Sequence, residues 1–406
     1  MNVLFIEPAF PANQRAFVRA LHDIGTNVYG IGERPAEWLD DETRHRLSGY
    51  QQIGSVTDEG ALEWAVREAQ KHVWVDRLEA TVEAHVLPAA HVRERCHIPG
   101  ISARTAWLCR DKVAMKAVLR EAGVPLAASD AVSRVSEARD FAHAVGYPVI
   151  LKPRDAAGAA GAFRANDDAE LERVAQACGV ADGAQAAIEE FVEGHEGIYD
   201  TLTLNGAIVH DFVAHYYPNV LEAMRTRWIS PQIVATNEVE HQRYVELRAM
   251  GARVNAALGI ETAPTHMEWF FGPKGLKFSE IGCRPPGVGQ WDGYCAADEM
   301  DLYREWALAV CHGRTEAGPS RRYAAGIIAL RPEADGRITG YEGVEAVFQR
   351  HGAHVIGHHF PEPGTPTQGV EAGYMANAWL RLRHESFDAL RAILNEIGET
   401  VRVKGA

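Results

Sequence analysis

Two glutamates sit inside apolar, strand-like runs on either side of a short turn, and this arrangement constrains the chain more than any other feature. The runs are His266-Met267-Glu268-Trp269-Phe270 and Phe278-Ser279-Glu280-Ile281, and the turn is Gly272-Pro273-Lys274-Gly275. A hairpin centred on Lys274 places Glu268 directly opposite Glu280, with Cβ atoms about 5 Å apart on one face. Two unpaired carboxylates in apolar strands are costly, and at that range they also repel. A pair turned to solvent is one resolution. A magnesium ion shared with substrate phosphates is the more economical one, since magnesium takes oxygen ligands and tolerates few protein donors.

Two further segments precede the pair in fixed order. Lys152 lies in the strand Pro148 to Pro153 among Val149, Ile150 and Leu151. A buried ammonium needs an anion, and a phosphate oxygen would serve. The stretch that follows, 155–161, is almost bare of side chains and includes Gly158 and Gly161. Such a loop lets backbone N–H groups approach phosphates; a flexible turn after an edge-strand lysine is the alternative. Next comes Ile188-Glu189-Glu190-Phe191-Val192-Glu193-Gly194-His195-Glu196. A purine site needs a backbone C=O and N–H at a strand end, a carboxylate for the exocyclic amine and another for the ribose. The C=O of Glu190 and the N–H of Val192 fit the first pair, and Glu189 and Glu196 fit the second; a solvated acidic loop is the plainer alternative. After the hairpin, Arg284 in Gly282-Cys283-Arg284-Pro285-Pro286-Gly287 suits a phosphate or a developing oxyanion. His266 shares the face of Glu268, where it is either a donor to a reacting group or a packed histidine.

The bulk numbers exclude several classes. The 406 residues are enough for two to four packed units. A net charge of -14 repels nucleic acid and anionic membranes, so neither is an expected partner. No apolar run reaches membrane-spanning length, and the N-terminus enters a strand at once, so no signal peptide is expected. The six cysteines form no CxxC pairs, which argues for a reducing compartment and a cytoplasmic location. Gly287-Val288-Gly289 lacks the strand and spacing of a dinucleotide loop, and the histidines from His351 to His359 lack ligand partners at metal spacing.

Strand and helix alternate over the first hundred residues, which predicts a parallel sheet with flanking helices. A helix over 102–122 follows, then a small strand-helix unit that could act as a lid. From Tyr199 strands dominate. Residues 216–240 read as a long irregular loop rich in Tyr, Trp, Pro and Arg.

Together the three segments resemble the ATP-grasp superfamily, over roughly residues 1–315. The resemblance implies an α/β fold, α+β toward the C-terminus. It divides the chain into an N-terminal Rossmann-like domain (1–103), a linker helix (104–125), a small lid subdomain (126–192), a large catalytic subdomain (193–315) and a strand-rich C-terminal subdomain (316–406). It implies ATP and Mg2+ (or Mn2+) as cofactors. Lys112 and Lys152 become the two ATP lysines, Glu268 and Glu280 the metal acids, Arg284 the arginine at the reacting group, and His266 a cationic catalytic group. Glu189, Glu190, Val192 and Glu196 match the adenine and ribose pattern of D-alanine–D-alanine ligases. One departure is Gly282, where many members place an Asn that ligates metal.

The loop cluster Tyr217, Arg225, Arg227 and Trp228 is similar to carboxylate–amine ligases, with an arginine holding a substrate carboxylate and Glu83 meeting an ammonium. The expected activity is ATP-dependent joining of a small carboxylate and an amine, such as two amino acids, by a homodimer that releases ADP and phosphate. The rivals are a carboxylase of the biotin or purine type and a nucleotide-binding protein without catalysis. A hydride-transfer enzyme is the least favoured reading, since the N-terminal unit shows no Gly-rich fingerprint.

Overall fold

The structure, a computed structural model, describes residues 1–154, 161–375 and 377–406. Its first sheet has four parallel strands, in the order Leu47–Gln52, Asn27–Gly32, Asn2–Ile6, Arg77–Glu79. The fourth strand, Arg77–Glu79, has only three residues. The helix Glu83–Arg95 follows directly and puts Glu83 in its first turn, where a carboxylate favours the helix dipole.

A second sheet of four strands runs Ser129–Val132, Ala186–Glu190, Val149–Pro153, Phe163–Ala165, and its pairings are antiparallel. Lys152 is therefore on an inner strand, not at an edge. The linker segment is two helices, Ala103–Leu108 and Lys112–Glu121, and Asp111 caps the second by accepting from Ala114 N–H at 2.9 Å.

The third sheet has eight strands. Their order is Gly275–Gly282, Ala263–Gly272, His195–Leu204, Ala207–Tyr217, Gln232–Ala235, Ala324–Leu330, Ala378–His384, Val355–His359. Residues 216–240 are thus less irregular than the sequence suggested. They hold the short helix Val220–Ala223 and the strand Gln232–Ala235, which joins Ala207–Tyr217 to Ala324–Leu330. Four residues are too few for a period to show in the sequence. Through this strand the C-terminal strands continue the same sheet as the carboxylate hairpin.

An aromatic cluster fixes the N-terminal unit to this body. Phe17, from helix Gln14–Asp23, lies 5.2 Å from Trp291, 4.8 Å from Tyr303 and 5.0 Å from Trp306, measured between ring centroids. All four rings are buried. Such packing is worth about 0.5–1.5 kcal/mol per ring pair beyond area burial. It holds Glu83 at a set position relative to Arg284. All six cysteines are free thiols, and among the described residues no helix is long and apolar enough to cross a membrane.

Candidate active site

The hairpin Ala263–Gly272/Gly275–Gly282 turns through Pro273-Lys274, half a residue short of the symmetric centre at Lys274. Left uncorrected, that offset would pair Glu268 with Ser279. A bulge between Glu268 and Trp269 takes up one residue, and Glu268 does pair with Glu280. Bulges commonly re-aim side chains next to functional sites. The partner strand brings Asp200 opposite His266 and Glu196 opposite Phe270. One face of the large sheet therefore carries Glu196, Asp200, His266, Glu268 and Glu280 together.

The cleft over this face has two connected parts. The first, about 860 Å³ out to solvent, lies between the two sheets and is lined by Lys152, Glu189, Glu190, Val192 and Glu196, with apolar walls from Ile150, Phe270 and Phe278. The second, about 1080 Å³, is lined by Glu83, His266 and Arg284, and by Tyr216, Tyr374 and Met375. Val220, Glu268 and Glu280 border both parts. An apolar slot with a few convergent polar groups is the usual form of a ligand site.

Charge pairs anchor the linker helix to both sheets, and Lys152 adds a pair within the small one. Lys112 Nζ is 3.3 Å from Glu280 Oε1, while Lys116 and Lys152 lie 2.6 Å and 3.1 Å from Glu189 Oε1. Burial raises the Glu189 carboxyl, but the two ammonium groups overcome it and hold it down at about 2. Burial pushes Glu196 up to about 8, with Glu268 adding repulsion, although Val220 N–H donates to it at 2.7 Å. Burial also raises Glu268, helped by Glu280 and opposed by His266. His266 Nδ1 lies 2.7 Å from Asp200 Oδ1, and Tyr294 OH donates to Asp200 Oδ2 at 2.6 Å. A carboxylate only accepts, so Nδ1 carries a proton and Nε2 faces Glu268, 3.9 Å away. Arg284 Nε donates to Glu83 Oε2 at 2.7 Å, and its Nη1 to the Pro285 carbonyl at 2.8 Å.

The described groups fit a magnesium nucleotide. Glu189 Oε1 is buried and completes no aligned hydrogen bond despite its two ion pairs, so it has capacity for a ligand donor. Glu268 and Glu280 present two opposed carboxylates. Among the described residues no group of three His, Cys, Asp or Glu side chains gathers at ligand spacing. A cation held here would complete its sphere with ligand oxygens or water.

The structure does not bring every expected residue into this cleft. Arg225 is exposed, Arg227 pairs with Asp335, and Trp228 is 87% exposed. They follow the short helix Val220–Ala223, which carries the chain away toward the strand Gln232–Ala235. Gly161, at φ +76°, begins the described chain after residues 155–160. Gly158 lies outside the described residues. Lys116, Asp200, Tyr216 and Tyr374 line or support the cleft without having been expected there. Asp200 was detectable, because it is two and four residues from Ile198 and Glu196 along one strand. Tyr374 comes from a distant loop and had no local signal.

Comparison with known proteins follows the same geometry. Residues 111–202 match the family model for the ATP-binding domain of the carbamoyl-phosphate synthase L chain. The chain superposes over its full length on an L-amino acid ligase from Bacillus licheniformis, with a TM-score of 0.80, 17% identity and 98% of that chain covered. The chain has the ATP-grasp fold. Two curated relatives are the N-terminal section of the Methanopyrus kandleri carbamoyl phosphate synthase large chain and a Bacillus subtilis L-arginine-specific L-amino acid ligase. The first is 31% identical over 166 residues, 40% of this chain and 29% of that protein. The second is 26% identical over 243 residues, 58% of this chain and 58% of that protein. The matched stretches span less than two thirds of either relative.

Proposed function

We propose that this chain is an ATP-dependent carboxylate–amine ligase that joins two small substrates, amino acids in the first instance, and releases ADP and phosphate. The observation that carries the reading is the meeting of both cleft halves at Glu268 and Glu280, between the lysine-lined slot and the Arg284 pocket. Likeness to L-amino acid ligases supports the choice of substrate class.

In this reading the base lies between Ile150 and Phe278, with its amine on Glu189 and the ribose on Glu196. Lys112 and Lys152 exchange their carboxylate partners for phosphate oxygens. Glu268 and Glu280 hold magnesium, which supplies charge neutralisation at the phosphoryl group. A substrate carboxylate oxygen attacks the γ-phosphorus and ADP departs, leaving an acyl phosphate. The amine nitrogen then attacks the acyl carbon, phosphate leaves, and the nitrogen loses a proton. Arg284, held at its pivot by Glu83, meets the negative charge that develops on the acyl oxygens. Asp200 keeps His266 oriented toward the same space.

Gly282 takes on a steric role here. A Cβ at that position would stand 2.9 Å from Glu83 Oε2 and 3.5 Å from Arg284 Cγ. Gly282→Asn should therefore push Glu83 off Arg284 and lower kcat by about ten- to a hundredfold. A variant more active than the parent would mean instead that this position only lacks a ligand.

The activity is tested by phosphate release over pairs of amino acids, with mass spectrometry of the products. ADP, phosphate and an amide in equal amounts are expected. Release that depends on bicarbonate would point to a carboxylase, and nucleotide binding with no release over a broad panel would contradict the ligase reading.

A further inference from the structure

The linker helix Lys112–Glu121 carries two buried lysines one turn apart, and they face different sheets. Lys112 reaches Glu280 of the hairpin, and Lys116 reaches Glu189 of the small sheet. Only Lys112 was expected to bear on the nucleotide. Lys116 is 3% exposed, and its closest charge partner is Glu189 Oε1 at 2.6 Å. Lys152 bears on that same oxygen at 3.1 Å. Neither Lys116 Nζ nor Glu189 Oε1 completes an aligned hydrogen bond. One carboxylate oxygen thus serves two ammonium groups, one of which is on the strand Val149–Pro153.

The two lysines cannot have the same role once a nucleotide is bound. Lys152 lines the cleft and can turn to a phosphate. Glu189 would then be a buried carboxylate with one cation less, which is costly unless another stays. Lys116 sits behind it on a different element. We propose that Lys116 is the residue that keeps Glu189 ionised and in place as the acceptor for a 6-amino purine, so that it sets the preference for adenine over 6-oxo purines. The inference rests on the ATP reading of the cleft. Lys116 acts through Glu189, as a positioning residue.

The chemistry of the base makes the claim specific. Adenine offers an exocyclic amine that donates to a carboxylate. Hypoxanthine offers a carbonyl at the same place, which an ionised Glu189 repels. Discrimination therefore depends on Glu189 remaining charged and fixed. Burial, which outweighs the pull of Glu189 and is joined by repulsion from Lys152, brings Lys116 down to about 8; Glu280 is the other facing charge. The hold on Glu189 weakens once Lys116 loses its proton.

The test compares ADP with inosine diphosphate by calorimetry on the full chain, without turnover. The parent should prefer ADP. Lys116→Met should lower ADP affinity by about tenfold and bring the ADP-to-IDP ratio close to unity, and Lys116→Arg should restore the ratio. Equal weakening of both nucleotides, with the ratio kept, would reduce Lys116 to a structural residue and overturn the proposal. If the methionine variant does not fold, Lys116→Gln takes its place at neutral pH: a ratio near unity is expected, and a ratio equal to the parent's would overturn the proposal. Absence of any nucleotide binding by the parent at neutral pH would instead contradict the ATP reading.

Discussion

Glu280→Gln should lower kcat by about a thousandfold, equivalent to about 4 kcal/mol of lost transition-state stabilisation, and leave the fold intact. The expectation follows from what Glu280 touches. It pairs with Glu268 across the hairpin, lies 3.3 Å from Lys112, and borders both halves of the cleft. An amide of the same shape keeps the strand pairing but removes the charge that a divalent cation needs. Relief of repulsion toward Glu268 offsets part of the lost Lys112 pair, so thermal unfolding should move little. Magnesium-dependent nucleotide binding should weaken in parallel. Turnover near that of the parent, measured by phosphate release at saturating magnesium, would remove Glu280 from the proposed metal site.

Arg284→Lys should cost about a hundred- to a thousandfold in kcat while nucleotide affinity stays close to the parent value. Arg284 uses Nε for Glu83 and Nη1 for the Pro285 carbonyl, which pins a planar fork at the mouth of the second pocket. A lysine keeps the charge, but its three donors share one nitrogen and cannot span the Glu83 carboxylate, the Pro285 carbonyl and the reacting group as the guanidinium fork does. Separating calorimetric ADP binding from single-turnover rates checks the division between binding and chemistry. A loss confined to ADP affinity would place Arg284 on the nucleotide, not on the reacting group.

The geometry of the hairpin could be read from the sequence because apolar neighbours and a Gly-Pro-Lys-Gly turn fix register locally. The reading was less secure than it looked, since the pairing depends on both a shorter turn and a compensating bulge that no residue pattern announces. The parallel sheet of the N-terminal unit was likewise legible from alternation. The continuous eight-stranded sheet was not, because its joining strand Gln232–Ala235 has four residues and pairs with Ala324–Leu330 some ninety residues on. Lys116 was hidden for another reason. Its spacing from Lys112 looks like an ordinary helix face, and only tertiary packing reveals that it is buried against Glu189. Arg225, Arg227 and Trp228 show the opposite error: their composition suggested a binding loop, but backbone direction carries them away from the cleft.

The most direct test of the account is a crystal structure of the chain with ADP and manganese, with anomalous data collected at the manganese edge. The account predicts an anomalous peak bound by the carboxylates of Glu268 and Glu280, and an adenine seated between Ile150 and Phe278 with its amine on Glu189. Manganese bound away from these two acids, or a nucleotide seated outside the cleft, would contradict it.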